Sequence, residues 1–284
     1  MSSISFLQNE VYGGWSPKTK FIAGSEQMTL FTAIELSKRG HEVSVYHNTD
    51  TDFGVYEGVN FRPREEFKKA DLTIIVKDYS ALGDKEFIYW TNETDIEQKV
   101  TPDMAKLFIA HSEWQKKNIM PNLPNTIVIP LGATIERVES VERVPKQVLY
   151  ASAPDRGLEI LLKDWKRIED ETGATLKVTY NDGLDAEDMT RLFNESDIWA
   201  YPCIGGELYC ITGINAQKCG CVPVIIPTMA LSETVRWGYK TDKENFTNKL
   251  IQILNQNNEE LRSKMMRDDY PTWSDVADQF EELI

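Results

Sequence analysis

Short apolar runs rich in β-branched and aromatic residues alternate with helix-period segments along almost the whole chain, and this alternation restricts the fold more than any single motif. Ile4–Leu7, His41–His47, Leu72–Val76, Phe87–Trp90, Leu107–Ala110 and Thr126–Ile129 read as strands. Between the first two, a loop with Gly13, Gly14 and Pro17 leads to Gly24-Ser25-Glu26, which opens a helix with Ser25 as its expected N-cap. Leu30, Phe31 and Ile34 supply the buried stripe of that helix, and Arg39-Gly40 its stop. Strands separated by helical or irregular segments are joined most economically as a parallel, doubly wound α/β sheet.

Residues 134–146 (TIERVESVERVPK) interrupt the rhythm with charge and a proline, and read as a linker without a buried strand. Beyond it the pattern restarts. Gln147–Tyr150, Leu176–Tyr180, Ile198–Tyr201 and Val222–Ile226 read as strands, and helices are expected over 157–171, 186–194 and from about 209 to Gly220. Leu158, Leu161, Leu162, Trp165 and Ile168 form the apolar face of the first of these. At roughly 150 residues per domain, 284 residues fit two Rossmann-like halves. The expected boundaries are 1–138, 139–272 and a terminal helix at 273–284.

Thirty-one Lys and Arg against 45 Asp and Glu give a net charge of −14, and no basic run exceeds two residues. Such a surface argues against nucleic acid held by counterion release and against an anionic membrane surface. No apolar run reaches the ~18 residues of a membrane span, so no integral membrane contact is expected, and the N-terminus lacks the pattern of a signal peptide. Cys203, Cys210, Cys219 and Cys221 are too irregularly spaced for a zinc site or a secreted disulfide framework. They read as free thiols in a reducing cytoplasm. The three histidines, His41, His47 and His111, read as structural or peripheral.

Open α/β halves bind ligands beyond the carboxyl ends of their strands, which singles out three loops. Ile22-Ala23-Gly24-Ser25-Glu26 runs into a helix N-terminus, whose free amides favour phosphate, although an ordinary cap explains it as well. Ser152-Ala153-Pro154-Asp155-Arg156-Gly157 places an arginine where the helix dipole opposes it, which makes sense if Arg156 faces an anion. The third loop, Tyr201-Pro202-Cys203-Ile204-Gly205-Gly206-Glu207, ends in a carboxylate that needs a partner beside a buried strand. The amides near Tyr209, Cys210, Ile211 and Thr212 then offer a phosphate site, and Glu207 and Asn215, eight positions apart, suit the two ends of one ligand.

The stretch YPCIGGELYCITGINAQKCGCVPVII resembles the C-terminal signature of retaining glycosyltransferases of the GT-B fold, glycosyltransferase family four: a proline, a Glu, seven residues, a second acid, then a small residue and Gly before a PV strand. ASAPDRGLEILLKDW, IAGSEQ with ELSKRGHEVSVY, and IAHSEWQKK with TIVIPLGA resemble its other signatures in order, over nearly the whole chain. The resemblance implies two Rossmann-like domains facing across a cleft, with the last helix crossing back to the first, acceptor-side domain. It implies retaining, metal-independent transfer from a UDP-, GDP- or ADP-sugar to a glycan or small hydroxyl acceptor, with the nucleotide sugar as substrate and no cofactor. Carried onto this chain, Glu207 contacts donor-sugar hydroxyls and Arg156 neutralises the departing diphosphate. Gly24 and Ser25 back the diphosphate, Asn215 stands at the ribose position, and Asn181 and Asp182 at the base. The chain departs from the family at Asn215 (usually an acid), at Ser152 (often a second Arg), at Ala23 (usually Gly), at Thr91-Asn92-Glu93 (commonly a His) and after Val235, where the family's small extra strand is not apparent. Three alternatives keep the fold: a donor-binding protein impaired in transfer, a nucleotide-sugar epimerase, for which the chain is poor in histidine, and a DNA-base glycosyltransferase, disfavoured by the charge.

Overall fold

The computed structural model describes residues 1–8, 15–19, 22–48, 52–180 and 184–284. The chain forms two compact α/β units: Met1–Gly132 together with Pro271–Ile284, and Ala133–Tyr270.

The first unit is built on an eight-stranded sheet: β1 (Ser3–Gln8), β2 (Glu42–His47), β3 (Gly54–Tyr56), β4 (Val59–Pro63), β5 (Leu72–Val76), β6 (Ile88–Trp90), β7 (Leu107–Ala110) and β8 (Thr126–Val128), in the order β3-β4-β2-β1-β5-β6-β7-β8. Every pair is parallel except β3 with β4. That pair is a hairpin within a stretch where no strand was expected from sequence. Glu57 and Gly58 both take positive φ, the geometry of a tight hairpin turn, and strands this short leave little periodicity to read. The central strands are buried on both faces, so β5 is a continuous apolar run rather than an alternating one.

Helix α1 (Gly24–Lys38) follows β1. Its N-cap is Ala23, two residues ahead of the expected Ser25, and the Ser25 hydroxyl instead donates to Glu26 Oε2 at 3.0 Å. The other end matches the sequence reading: Gly40, in the left-handed region, lets the His41 amide return to the Leu36 carbonyl. Helix α2 (Glu113–Ile119) is capped by Ser112. His111, just before it, is buried, with Nδ1 accepting from the Trp90 indole at 3.3 Å. Burial lowers its pKa to about 3, and burial lowers that of His47 to about 4, so both imidazoles are neutral near pH 7.

The second unit carries a five-stranded parallel sheet: β9 (Val144–Tyr150), β10 (Thr175–Val178), β11 (Ser196–Tyr201), β12 (Val222–Ile225) and β13 (Tyr239–Lys240), in the order β10-β9-β11-β12-β13. Three sequence expectations are corrected here. The unit begins at Ala133 rather than 139, because Thr134 and Ile135 are tied to Asn215 within it. The helix expected over 157–171 is two, α3 (Leu158–Lys163) and α4 (Trp165–Thr172), broken at Asp164, whose carboxylate accepts from the Thr247 hydroxyl at 3.0 Å; Leu162 is exposed, while Leu161 and Ile168 are buried. The small extra strand after Val235 is present as β13, paired with β12 over two residues. Helices α5 (Ala186–Glu195), α6 (Ile211–Lys218), α7 (Leu231–Thr234), α8 (Phe246–Leu254) and α9 (Glu259–Met265) complete the unit.

The last helix, α10 (Trp273–Glu281), belongs to the first unit. Phe280 packs 4.9 Å from Trp90 and 6.4 Å from Phe6, and Trp273 packs 5.4 Å from Phe31. Arg39 fastens the helix by contacts of 2.5 Å to both Asp278 and Glu281. All four cysteines are free and buried. No helix among the described residues is long and apolar enough to cross a membrane.

Candidate active site

In the second unit the chain runs from β9 outward to β10, then returns to place β11 on the other side of β9. Loops leaving β9 and β11 at their carboxyl ends therefore diverge at a topological switch point, where open α/β sheets form their ligand crevice. Arg156 lies on the first of these loops and Glu207 on the second.

The local sequence explains why the loops close on each other. After β9, Pro154–Arg156 makes a single 3₁₀ turn that ends at Gly157 with φ +95°. A side chain at Gly157 would fall 2.2 Å from the Pro202 carbonyl oxygen, so glycine satisfies both the left-handed backbone and the close approach. Gly206 does the same from the other side: its φ is +82°, and a Cβ there would meet Arg156 Nη1 at 2.2 Å. Gly206 thus leaves the space that the guanidinium fills, and Nη1 donates to the Gly205 carbonyl at 3.1 Å.

Arg156 Nη1 lies 3.7 Å from Glu207 Oε1. The Glu207 side chain is 12% exposed, that of Arg156 35%. Tyr201, at the end of β11, donates its hydroxyl to the same Oε1 at 2.5 Å. Burial pushes the Glu207 pKa up, against the Tyr201 hydrogen bond, the Arg156 charge and the Cys210 thiol, which pull it down. For Arg156, burial works against the charge, but Glu207 leads the groups that carry its pKa up. On the far side of Glu207 its carbonyl accepts from the Ala230 amide at 3.0 Å, which fixes the loop against the segment after β12.

Helix α6 starts directly after this loop, with Cys210 as N-cap and no side-chain capping hydrogen bond. The first-turn amides of Ile211 and Thr212 have no acceptor within the helix, which gives the crevice a positively polarised helix end beside Arg156 and Glu207. Gly213 allows the helix to sit this close to the sheet, since a Cβ there would be 2.7 Å from Val235 and 3.3 Å from Trp199. Tyr209, Cys210, Ile211, Thr212, Glu207 and Arg156 are therefore gathered at one end of one unit.

Asn215 is not presented to a ligand. It is 5% exposed, its Oδ1 accepts from the amides of Thr134 (2.9 Å) and Ile135 (3.2 Å), and its Nδ2 donates to the Thr134 hydroxyl at 2.8 Å. An amide offers two acceptor positions and two hydrogens, and three of the four are spent on the unit's own first residues. In this structure the side chain is a clamp on the entry of the chain into the second unit, whereas sequence reading expected it at a ribose.

Gly24 and Ser25 lie at the start of α1 in the first unit, where the space beside Gly24 is open and the helix lacks a side-chain cap. Asn181 and Asp182 lie outside the described residues. Sequence reading gave no role to Tyr201, whose only signal was a phenol immediately before Pro202 at the end of a strand. Among the described residues no cluster of three or more His, Cys, Asp or Glu forms a metal-ligand set.

No protein-family model and no curated protein matches the chain. Solved structures do match over its full length. HepE of Anabaena, in complex with UDP and glucose, is 13% identical, with a TM-score of 0.69, covering 100% of this chain and 99% of that one. Sucrose-phosphate synthase from Thermosynechococcus elongatus is 11% identical, with a TM-score of 0.67 and 98% of each chain covered. The catalytic domain of starch synthase IV from Arabidopsis thaliana, bound to ADP and acarbose, is 12% identical, with a TM-score of 0.64, covering 99% of this chain and 98% of that one. The chain thus has the two-unit α/β fold of GT-B glycosyltransferase structures.

Proposed function

We propose that the protein is a retaining glycosyltransferase that moves a sugar from a nucleoside-diphosphate sugar to a hydroxyl of a glycan or small acceptor without a metal ion. The observation that carries this reading is the approach of Arg156 to Glu207 beside an uncapped helix end at the β9/β11 switch point. The GT-B fold supports it, as do the UDP of HepE and the ADP of starch synthase IV, which belong to those proteins.

In this reading the diphosphate lies against the Ile211 and Thr212 amides, with Arg156 neutralising the charge that develops as it leaves. Glu207 accepts hydrogen bonds from sugar hydroxyls. The bond from the anomeric carbon to the diphosphate oxygen breaks, the acceptor oxygen bonds to that carbon on the same face, and the acceptor proton passes to the departing diphosphate oxygen. No protein nucleophile is needed. The Ser25 hydroxyl, in the first unit, is engaged by Glu26, so any contact that Gly24 and Ser25 make with a donor falls to their backbone amides. We place the reaction in the cytoplasm, supported by four free, buried thiols. A second reading, donor binding without turnover, is favoured by Asn215, whose commitment to Thr134 and Ile135 removes one grip on the nucleotide.

A panel of UDP-, GDP- and ADP-sugars tests both readings, scored by thermal shift and by nucleotide release with sugar acceptors. Transfer supports the first, binding without transfer the second, and no donor-dependent shift contradicts both.

A further inference from the structure

Tyr201 and Arg156 both approach the same oxygen of Glu207, and the Cys210 thiol hydrogen-bonds its carboxyl as well. Tyr201 Oη donates to Oε1 at 2.5 Å, and Arg156 Nη1 stands 3.7 Å from Oε1. They reach it from different elements, Tyr201 from the end of β11 and Arg156 from the loop after β9. The phenol has little freedom of its own. Tyr201 is 2% exposed, stacked on Trp199 at 4.9 Å with 21° between the rings, and 6.3 Å from Tyr150. A glutamate side chain turns about three single bonds, so fixing one carboxylate oxygen in a rigid wall also fixes the direction of the other.

We infer that Tyr201 is a positioning residue, which pins Oε1 of Glu207 so that Oε2 is turned to the hydroxyls of the donor sugar. The inference rests on the reading of Glu207 as the group that contacts the donor sugar. The groups facing this carboxyl are Tyr201 from β11, Arg156 from the β9 loop and Cys210 from the start of α6. Burial raises the Tyr201 pKa far above its ordinary value, with Cys210 and Glu207 adding to it, so the phenol remains a donor at every working pH. Its hydrogen bond therefore favours the ionised carboxylate, which is the form able to accept two hydroxyl hydrogens.

Tyr201→Phe keeps the ring and its stack on Trp199 and removes only the donor. The test follows the side-chain carboxyl of Glu207 by ¹³C NMR in wild type and Tyr201→Phe, with the resonance assigned through Glu207→Gln. Transfer kinetics are measured on the same variants across pH. The expected result is a Glu207 midpoint higher by about one pH unit in Tyr201→Phe. With it, kcat/KM falls by about 10- to 100-fold, and the acid limb of the pH–rate profile moves to higher pH by the same amount as the midpoint. A folded Tyr201→Phe with an unmoved midpoint and unmoved kinetics overturns the role given to Tyr201. Wild-type rates in Glu207→Ala overturn the donor reading itself, whatever the midpoint does, so the two failures are told apart.

Discussion

Arg156 and Glu207 meet at 3.7 Å although one follows β9 and the other β11, because those two strands are neighbours from which the chain departs in opposite directions. If this pair is the charge-handling centre, Arg156→Ala and Glu207→Ala each lower the transfer rate by about 100-fold or more, the scale seen when an electrostatic stabiliser is lost. Arg156 is partly open to solvent and Glu207 keeps the Tyr201 hydrogen bond without it, so Arg156→Ala costs about 1 kcal/mol of stability, whereas Glu207→Ala strips the acceptor from the buried Tyr201 hydroxyl and costs about 1–3 kcal/mol. Rates and urea midpoints on the same preparations separate the two effects.

Asn215 gives the opposite pattern. Asn215→Ala strips the acceptor from two backbone amides at the start of the second unit, at a cost of about 2–3 kcal/mol. Nucleotide affinity of the folded variant changes by less than about twofold, since the side chain is already committed within the protein. Calorimetric titration alongside urea unfolding checks this; a large loss of affinity at unchanged stability would restore the ribose role.

Much of the architecture was legible because its signals are local. The LTIIV run is β5 in full, and the Arg39-Gly40 stop is where α1 ends. Glu207 and Arg156 were legible as residues in unfavourable surroundings that each required a partner. What escaped was decided by contacts distant in sequence: the break at Asp164 by Thr247, and the fate of Asn215 by Thr134 and Ile135. The β3–β4 hairpin and β13 escaped because two to five residues carry almost no period. Ser25 looked like a cap because its neighbour Glu26, which takes its hydroxyl, cannot be read as its partner from sequence.

Two glycines separate backbone strain from crowding. Gly157 and Gly173 both sit at positive φ, but only Gly157 faces a wall, the Pro202 carbonyl at 2.2 Å from a would-be Cβ, whereas the space at Gly173 is open. Gly173→Ala costs about 1 kcal/mol for the left-handed backbone alone. Gly157→Ala costs about 3 kcal/mol or more, and it moves Arg156 away from Glu207, so transfer falls with it. Equal costs in the two variants would show that the loops do not approach as described.

The first unit is expected to weaken in acid through its buried histidines. His47 and His111 have folded pKa values of about 4 and about 3, below the ordinary 6.5, so the unfolded chain takes up protons first. Their contribution to stability is present above pH 6.5 and is lost as pH falls through about 4 for His47 and about 3 for His111. For His47 the loss between neutral pH and pH 4 is about 3 kcal/mol. Urea midpoints of wild type and His47→Gln across this range check it: the variant has the shallower dependence on pH.

The central claim is that one pocket in the second unit holds an activated sugar between a helix end, a guanidinium and a carboxylate. A crystal structure with a bound nucleotide sugar tests it most directly. The predicted result places the diphosphate within hydrogen-bond distance of the Ile211 and Thr212 amides and of Arg156, with a sugar hydroxyl on Glu207. A nucleotide sugar bound away from Arg156 and Glu207, or none bound at millimolar concentration, contradicts it.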